Sequence, residues 1–411
     1  MKRNKLIFLF LLIAIAAIYF LLFQKDKTLQ YIPANADAIV VIDVKNLSRQ
    51  YIYAFANHPS QWFKDKKEGE SKFSFKSSGL KIPDFIQVFH LKNTGFSQWY
   101  SVLEIKDQVK FVAFLDNKKF TKKAENEFQK DNIFLKIEGE YCIFGTADKA
   151  FGDINNHLKE KEIQRYFNAD QFMGDGIGSF SLVSEKGFSN FSIELNDDAI
   201  EIKKGKNIEV LAALISKIQV DHPFLEIELD KKNMENAASF FNIKSVDSSK
   251  IHYLKASATL KEVNDSIVTY DYDDDFNEIE KVAIQKIIQP NYAISLQSDN
   301  LEETWKYLYN KKWINDKSQF TLIPFQPNLI NKQRENILIK STKNPVELSN
   351  RYEENFIFIK NDPLVLKSFN SFTKNEKDLL SNLDYIFFGN KSDIYYLKLK
   401  MKKGDLPLIL R

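Results

Sequence analysis

Phe191-Ser192-Ile193-Glu194-Leu195-Asn196-Asp197-Asp198-Ala199-Ile200-Glu201-Ile202-Lys203-Lys204 alternates apolar and polar residues on either side of an Asn-Asp-Asp turn. A side-chain period of two belongs to a β-strand, and strict alternation gives each strand one buried and one wet face. The stretch therefore reads as an antiparallel hairpin, and it sets the expectation for the chain around it.

Upstream, Trp99 to Ile105 and Val109 to Leu115 read as a hairpin around Lys106-Asp107-Gln108. Lys118 to Lys130 reads as a helix, with Phe120, Ala124 and Phe128 at four-residue spacing. Ile133 to Ile137 and Tyr141 to Phe144 form a hairpin over Glu138-Gly139-Glu140, and Ala147 to Lys161 is helical. Nearer the start, Ala38 to Val44 is a β-branched buried strand. Asn46 is expected to cap the helix after it, which carries Leu47, Tyr51, Ala54 and Phe55 on one face.

Downstream, Asn207 to Ile218 is a helix, Phe224 to Leu229 a strand, and a further helix begins near Met234. His252 to Leu260 and Ser266 to Tyr272 read as a hairpin across Asn264-Asp265. Asn277 to Ile288 reads as a helix bounded by Pro290. Tyr292 to Leu296, Asn336 to Lys340, Asn355 to Lys360, Tyr385 to Phe388 and Ile394 to Met401 are strand candidates. Strands and helices mix without regular β-α alternation, which predicts an α+β fold with largely antiparallel sheets.

The N-terminal stretch is of another kind. Leu6 to Phe23, LIFLFLLIAIAAIYFLLF, carries no charge and would cover roughly 27 Å as a helix, about one hydrocarbon core. Lys2, Arg3 and Lys5 precede it, and the weaker positive flank Lys25-Asp26-Lys27 follows. The positive-inside rule then keeps the N-terminus cytoplasmic and places the body outside the inner membrane, in a periplasm-like compartment. A cleaved signal peptide is the rival reading, through Ala14-Ile15-Ala16, but it would leave Ile18 to Phe23 at a mature N-terminus. The expected division is 1–24 for the cytoplasmic tip and transmembrane anchor, 25–165 for a first α+β lobe, 166–288 for a middle sheet-rich region and 289–411 for a C-terminal lobe.

Three strand-to-helix joints look alike: Val40 to Leu47, Ile227 to Met234 and Ile294 to Leu301. Each runs from apolar strand residues through a polar turn into Asn-Leu or Asn-Met, which fits duplicated lobes and equally fits the common demand of any strand-turn-helix for an Asn cap followed by an apolar anchor. The opening Tyr31-Ile32-Pro33-Ala34-Asn35-Ala36-Asp37-Ala38, running through Asp43 to Asn46-Leu47 directly after an apolar anchor, resembles the start of exported or membrane-anchored Bacteroidetes proteins of unassigned function. The resemblance covers under a tenth of the chain. It implies an envelope protein with duplicated α+β lobes and assigns no functional residue.

Composition excludes some classes. The chain of 411 residues is 44% hydrophobic and 27% charged with net charge +3, ordinary values for a folded body. No basic stripe marks a nucleic-acid partner. Its single cysteine, Cys142, excludes an internal disulfide and sits in a strand-like run as a core residue.

The chemical candidates are weak. Gly174-Asp175-Gly176-Ile177-Gly178 lacks the strand before and helix after that a phosphate loop needs, so it reads as a turn or bulge. Asp271 to Asp275 matches the first half of a calcium loop, but Phe276 replaces its glycine and Val282 its glutamate. His58, His90, His157, His222 and His252 lie far apart. Ser78-Gly79-Leu80-Lys81 fits Ser-x-x-Lys without its companion motifs. No catalytic, cofactor-binding or metal-binding residue is assigned. The expected function is a membrane-anchored, non-catalytic binding or scaffold protein of the cell envelope, held by Leu6 to Phe23 and meeting an envelope protein, polymer or apolar ligand. The alternative is an envelope hydrolase whose site is assembled from distant residues.

Overall fold

The structure, a computed structural model, describes residues 19, 22–62, 78–159, 167–185, 187–221, 223–240, 251–272, 276, 278–323, 328–341, 346–368 and 374–411. Strand outweighs helix, 47% against 25%, and the sheets are antiparallel throughout, so the fold is β-rich rather than α+β. The apolar run Leu6 to Phe23 lies outside the described residues except for Tyr19, Leu22 and Phe23, which are helical. Among the described residues no helix is long and apolar enough to cross a membrane, and the transmembrane helix expected over Leu6 to Phe23 falls almost wholly outside them.

The chain divides into two compact units: Met1–Lys204 with Gly404–Arg411, and Gly205–Lys403. These boundaries differ from a division at 166 and 289, because the hairpin Phe191 to Lys204 completes the first sheet.

In the first unit the strands are β1 (Thr28–Leu29), β2 (Ala36–Asp43), β3 (Phe85–Leu91), β4 (Trp99–Glu104), β5 (Thr121–Ala124), β6 (Glu127–Lys130), β7 (Ile133–Glu138), β8 (Tyr141–Gly145), β9 (Phe167–Asn168), β10 (Gly178–Ser184), β11 (Gly187–Leu195) and β12 (Ala199–Lys204). Their sheet order is β12-β11-β10-β2-β3-β4-β8-β7-β6-β5, with β1 and β9 paired separately. In the second unit they are β13 (Leu225–Asp230), β14 (Ile251–Tyr272), β15 (Glu278–Ser298), β16 (Gln319–Phe320), β17 (Asn328–Gln333), β18 (Asn336–Ser341), β19 (Asn355–Lys360), β20 (Leu383–Lys391) and β21 (Ile394–Met401). Their order is β21-β20-β19-β13-β14-β15-β18-β17-β16.

The two orders match over nine strands, and β5 at the far edge of the first sheet has no counterpart among the described residues of the second. In each unit the first long strand lies mid-sheet, its successors extend to one side, and the last three strands close the other. A helix follows the first long strand in both, Val44–Ala56 and Lys231–Phe240, and another follows the third, Gln108–Asn117 and Leu301–Asn310. Asp43 caps the first of these by accepting from the Asn46 backbone N–H at 2.8 Å, and Asp230 does the same for Asn233 at 2.8 Å. Asn46 and Asn233 are therefore not the caps; each sits three residues into its joint. Asn300 does cap, accepting from Glu303 N–H at 3.1 Å, and its counterpart is Asp107, which accepts from Lys110 N–H. The third joint thus belongs to a different position in the unit from the first two.

Apolar clusters pack on both faces of each sheet. In the first unit Ile39, Val41, Phe89, Tyr100 and Ile143 meet Phe151, Ile154 and Leu158 of the helix Phe151–Lys159. Leu135, Ile137 and Cys142 meet Phe111 and Leu115 of the helix Gln108–Asn117. That helix replaces the expected strand Val109 to Leu115. Asp107 starts it, Phe111 and Leu115 are buried one turn apart, and Val109 is left 82% exposed. Lys119, at φ 62°, ends helical geometry, so the expected helix from Lys118 to Lys130 is the hairpin β5–β6, anchored by Phe128 opposite Leu135.

The glycine run before β10 is a packing device. A Cβ on Gly176 would lie 2.2 Å from the Ile193 carbonyl oxygen, whereas one on Gly174 would meet nothing within 4 Å. Gly176→Ala is expected to cost about 1–3 kcal/mol by overpacking. Gly174→Ala should stay within about 0.5 kcal/mol. Thermal unfolding of the two variants checks the contrast.

The largest departure from expectation is in the second unit. Ile251–Tyr272 is one continuous strand, not a hairpin across Asn264-Asp265, and Glu278–Ser298 is its antiparallel partner, not a helix from Asn277. The two pair from Tyr253–Gln297 out to Tyr272–Glu278. Every local choice in Asn277 to Ile288 is compatible with a helix, but a partner strand of matching length satisfies the same backbone groups non-locally. Pro290 falls inside β15 opposite Leu260, before pairing with β18 begins at Ala293. It has β14 on one side only among the described residues, an edge position at which a missing N–H is tolerated.

Candidate functional site

The alternation Leu225-Glu226-Ile227-Glu228-Leu229 puts two carboxylates on one face of β13. Register sets Glu226 beside Ser257 and Glu228 beside Lys255 of β14. Segment 349–352 lies over them. Lys255 Nζ donates to Glu228 Oε2 at 2.8 Å and to the Asn350 carbonyl at 2.6 Å. Glu228 Oε1 accepts from the Tyr352 backbone N–H at 2.9 Å, and Glu226 Oε1 accepts from the Ser349 hydroxyl at 2.8 Å. The Lys255 ammonium also faces the Tyr352 ring, and Arg351 lies over Tyr253 at 4.3 Å.

Glu226, Glu228 and Lys255 are each buried. Burial pushes the Glu226 carboxyl above its ordinary range against the pull of Ser257, Ser349 and Lys255. Burial, with Glu228 alongside, also raises the Tyr253 hydroxyl. The cluster is acid–base rich, but its charged atoms bond to one another and to segment 349–352. It clamps that segment to the sheet.

A raised carboxyl contributes stability in its neutral form, present below the unfolded pKa and lost as pH rises through the folded one. Glu226→Gln, which keeps an acceptor for Ser349, is therefore expected to match the parent at pH 4 and to be the more stable at pH 8. Urea unfolding at the two values checks it.

The remaining candidates are dispersed. His90 Nδ1 lies 2.6 Å from Asp37 Oδ1, with Nε2 3.0 Å from the Gly95 carbonyl and 3.2 Å from Thr94 Oγ1. This Asp–His–Thr order has the outline of a triad, but the Thr94 hydroxyl is turned to the Leu91 carbonyl at 2.7 Å, and the His90 ring is buried among Phe96 and Trp99. His58 contacts the Ala54 carbonyl, His252 faces Asp299, and His222 lies outside the described residues. Ser78 accepts from the Leu80 N–H while Lys81 pairs with Glu104, so the Ser-x-x-Lys pair is not a working pair. Burial raises the Cys142 thiol. Of the acidic run, Asp271 pairs with Lys281 at 2.5 Å, and Asp273, Asp274 and Asp275 lie outside the described residues. Two surface grooves of the first unit, about 370 and 430 Å³, border segment 404–411.

What stands out is the arm made by β14 and β15. β13 pairs with β14 only as far as Ala258, and β18 pairs with β15 only from Ala293 to Gln297. Beyond these points, among the described residues, the two strands pair with each other alone and run on for roughly 45 Å at ~3.3 Å per residue. On one face Val268 and Val282 stand opposite each other, with Tyr270 and Ile284 beside them, and Phe276 sits at the tip. Val282 is 65% and Ile284 74% exposed. From Thr259 to Pro290 eight acids outnumber three lysines. The expectation of a hairpin followed by a helix hid the arm; the alternation of Val268, Tyr270 and Tyr272 with Thr269 and Asp271 signalled a strand on one side, and nothing of that period marks its partner from Glu278 to Ile284.

Comparison with protein-family models, curated proteins and solved structures finds no match to this chain. Fold and surface define a class in physical terms: two antiparallel β-sheet units of common strand order, one bearing a long two-stranded arm.

Proposed function

We propose that this chain is a binding protein of the cell envelope, attached to the inner membrane through Leu6 to Phe23, with its body on the extracytoplasmic side and the β14–β15 arm as its contact with a partner protein. The observation that carries the reading is the arm. An isolated pair of strands with large exposed apolar side chains has two free edges and an uncovered apolar face, and such surfaces are covered by partners in proteins that stay soluble. Extended arms bind through backbone pairing and side-chain pockets. The acidic excess favours a partner that surrounds an apolar strip with basic groups. Attachment rests on the apolar run and its charge asymmetry.

Among the described residues the hydrolase alternative would draw on Glu226, Glu228, Tyr253 and Lys255, whose engagement with one another and with segment 349–352 favours binding over turnover. The test is photocrosslinking in intact cells from Val268 or Ile284, with Val109 as an exposed reference. A discrete adduct from the arm positions alone supports the reading. Adducts of equal yield from all three overturn it.

A further inference from the structure

The helix Val44–Ala56 has no buried residue, although it follows a strand in the core of its sheet. Its C-terminal half exposes Tyr51, Ile52, Tyr53 and Phe55, Tyr53 to 73%, and Trp62 continues the exposed apolar surface beyond it. Tyr51 stacks on Phe55, and the Trp62 indole N–H donates to the Phe55 carbonyl, so these groups form one ordered patch. Between Val44 and Trp62 the sequence holds Lys45 and Arg49 and no acid.

The same helix grips the end of the apolar run. Arg49 donates to the Leu22 carbonyl at 2.6 Å and lies over the Phe23 ring at 4.8 Å. Lys45 donates to the Gln24 carbonyl, and Lys25 pairs with Asp43 at the helix start. The helix that carries the patch is therefore held, through Lys45 and Arg49, at the point where Leu6 to Phe23 ends.

We infer that the helix Val44–Ala56 lies in the phospholipid headgroup region, with Tyr51, Ile52, Phe55 and Trp62 inserted at its lower boundary. The inference rests on the membrane attachment proposed above. A run that fills one hydrocarbon core leaves Phe23 at the core's edge, and a helix clamped to that residue has nowhere to lie but the interface. Tyrosine and tryptophan favour that depth, where the ring is apolar and its polar atom wet. A helix of aromatic and aliphatic residues with lysine and arginine and no acid is the composition of interfacial helices, and its cations meet anionic headgroups.

The experiment uses the full chain reconstituted into vesicles of phosphatidylethanolamine with a minor share of phosphatidylglycerol. Spin labels are placed singly by Ile52→Cys, Phe55→Cys, Val109→Cys and Leu12→Cys. The native Cys142 is buried, and positions 52, 55 and 109 are exposed, so labelling there leaves the fold intact. The expected result is a label at 52 or 55 shielded about fivefold or more from a water-soluble nickel relaxant relative to 109, with the label at 12 deeper still. If 12 reports hydrocarbon while 52 and 55 are as wet as 109, the inference fails and the attachment stands. If 12 is also wet, the attachment fails and the inference with it. Dipolar broadening between labels at 52 on different chains would place a second copy on the patch and overturn the lipid assignment.

Discussion

Lys255→Met is expected to destabilise the second unit by about 3–5 kcal/mol, the usual result of removing one member of a buried ion pair. Lys255 and Glu228 are nearly solvent-free, their side chains 6% and 2% exposed. Taking away the ammonium leaves a buried carboxylate with the Tyr352 N–H and the Tyr253 hydroxyl beside it but without the cation it is paired to. The Asn350 carbonyl loses its donor as well. The pair itself is not thereby worth 3–5 kcal/mol, because desolvation of both ions offsets much of their attraction. Glu228→Gln combined with Lys255→Met removes both charges and keeps an acceptor for Tyr352. The double variant should recover most of the loss. Hydrogen exchange of the Leu225–Asp230 amides during urea titration assigns the change to this sheet. A single variant as stable as the parent would show that water reaches Glu228 in solution.

Removing the arm should do the opposite: little to stability and nearly everything to binding. Joining Lys261 to Gln289 through Asn-Gly keeps the register Thr259–Asn291 and Leu260–Pro290 and supplies a two-residue hairpin turn. Among the described residues the deleted ones pair only with each other, and Val268, Tyr270, Val282 and Ile284 are exposed, so the remaining sheet should change by less than about 1 kcal/mol. Crosslinking to the partner from the stump should fall by about tenfold or more, since the apolar strip of Val268, Tyr270, Val282 and Ile284 goes with the arm. An equal adduct yield from the shortened chain would move the binding surface elsewhere. A collapse of the second unit would show that the arm is part of its fold.

Regularly alternating strands were legible from the sequence. The hairpins Ile133 to Phe144 and Phe191 to Lys204, and the strands Asn355–Lys360 and Ile394–Met401, stand where their alternation places them. So does the helix Glu209–Ile218, whose Leu211, Leu214, Ile215 and Ile218 recur at helical spacing. Errors fell where both periods fit. Phe120, Ala124 and Phe128 satisfy a helix, but Lys119 turns left-handed and a neighbouring strand, β7, takes up the backbone of β6. Glu278 to Ile288 became strand because β14 pairs along its whole length.

Sequence alone determined the antiparallel pairing of the short hairpins, the inert core cysteine, the failure of the Gly174 to Gly178 run as a phosphate loop and the singular apolar run at the N-terminus. Period, turn chemistry and charge are local properties, and they act within a few residues. Tertiary structure decided that the fold is β-rich, that two units share one strand order, and that β14 and β15 leave the sheet as an arm. It also reversed the meaning of Glu226 and Glu228. Their alternation with Leu225, Ile227 and Leu229 marks a wet face, and only segment 349–352, more than a hundred residues away, makes that face a buried one. Pairings at such separation leave no period in the sequence of either partner, because the free energy that selects them resides in the contact between them.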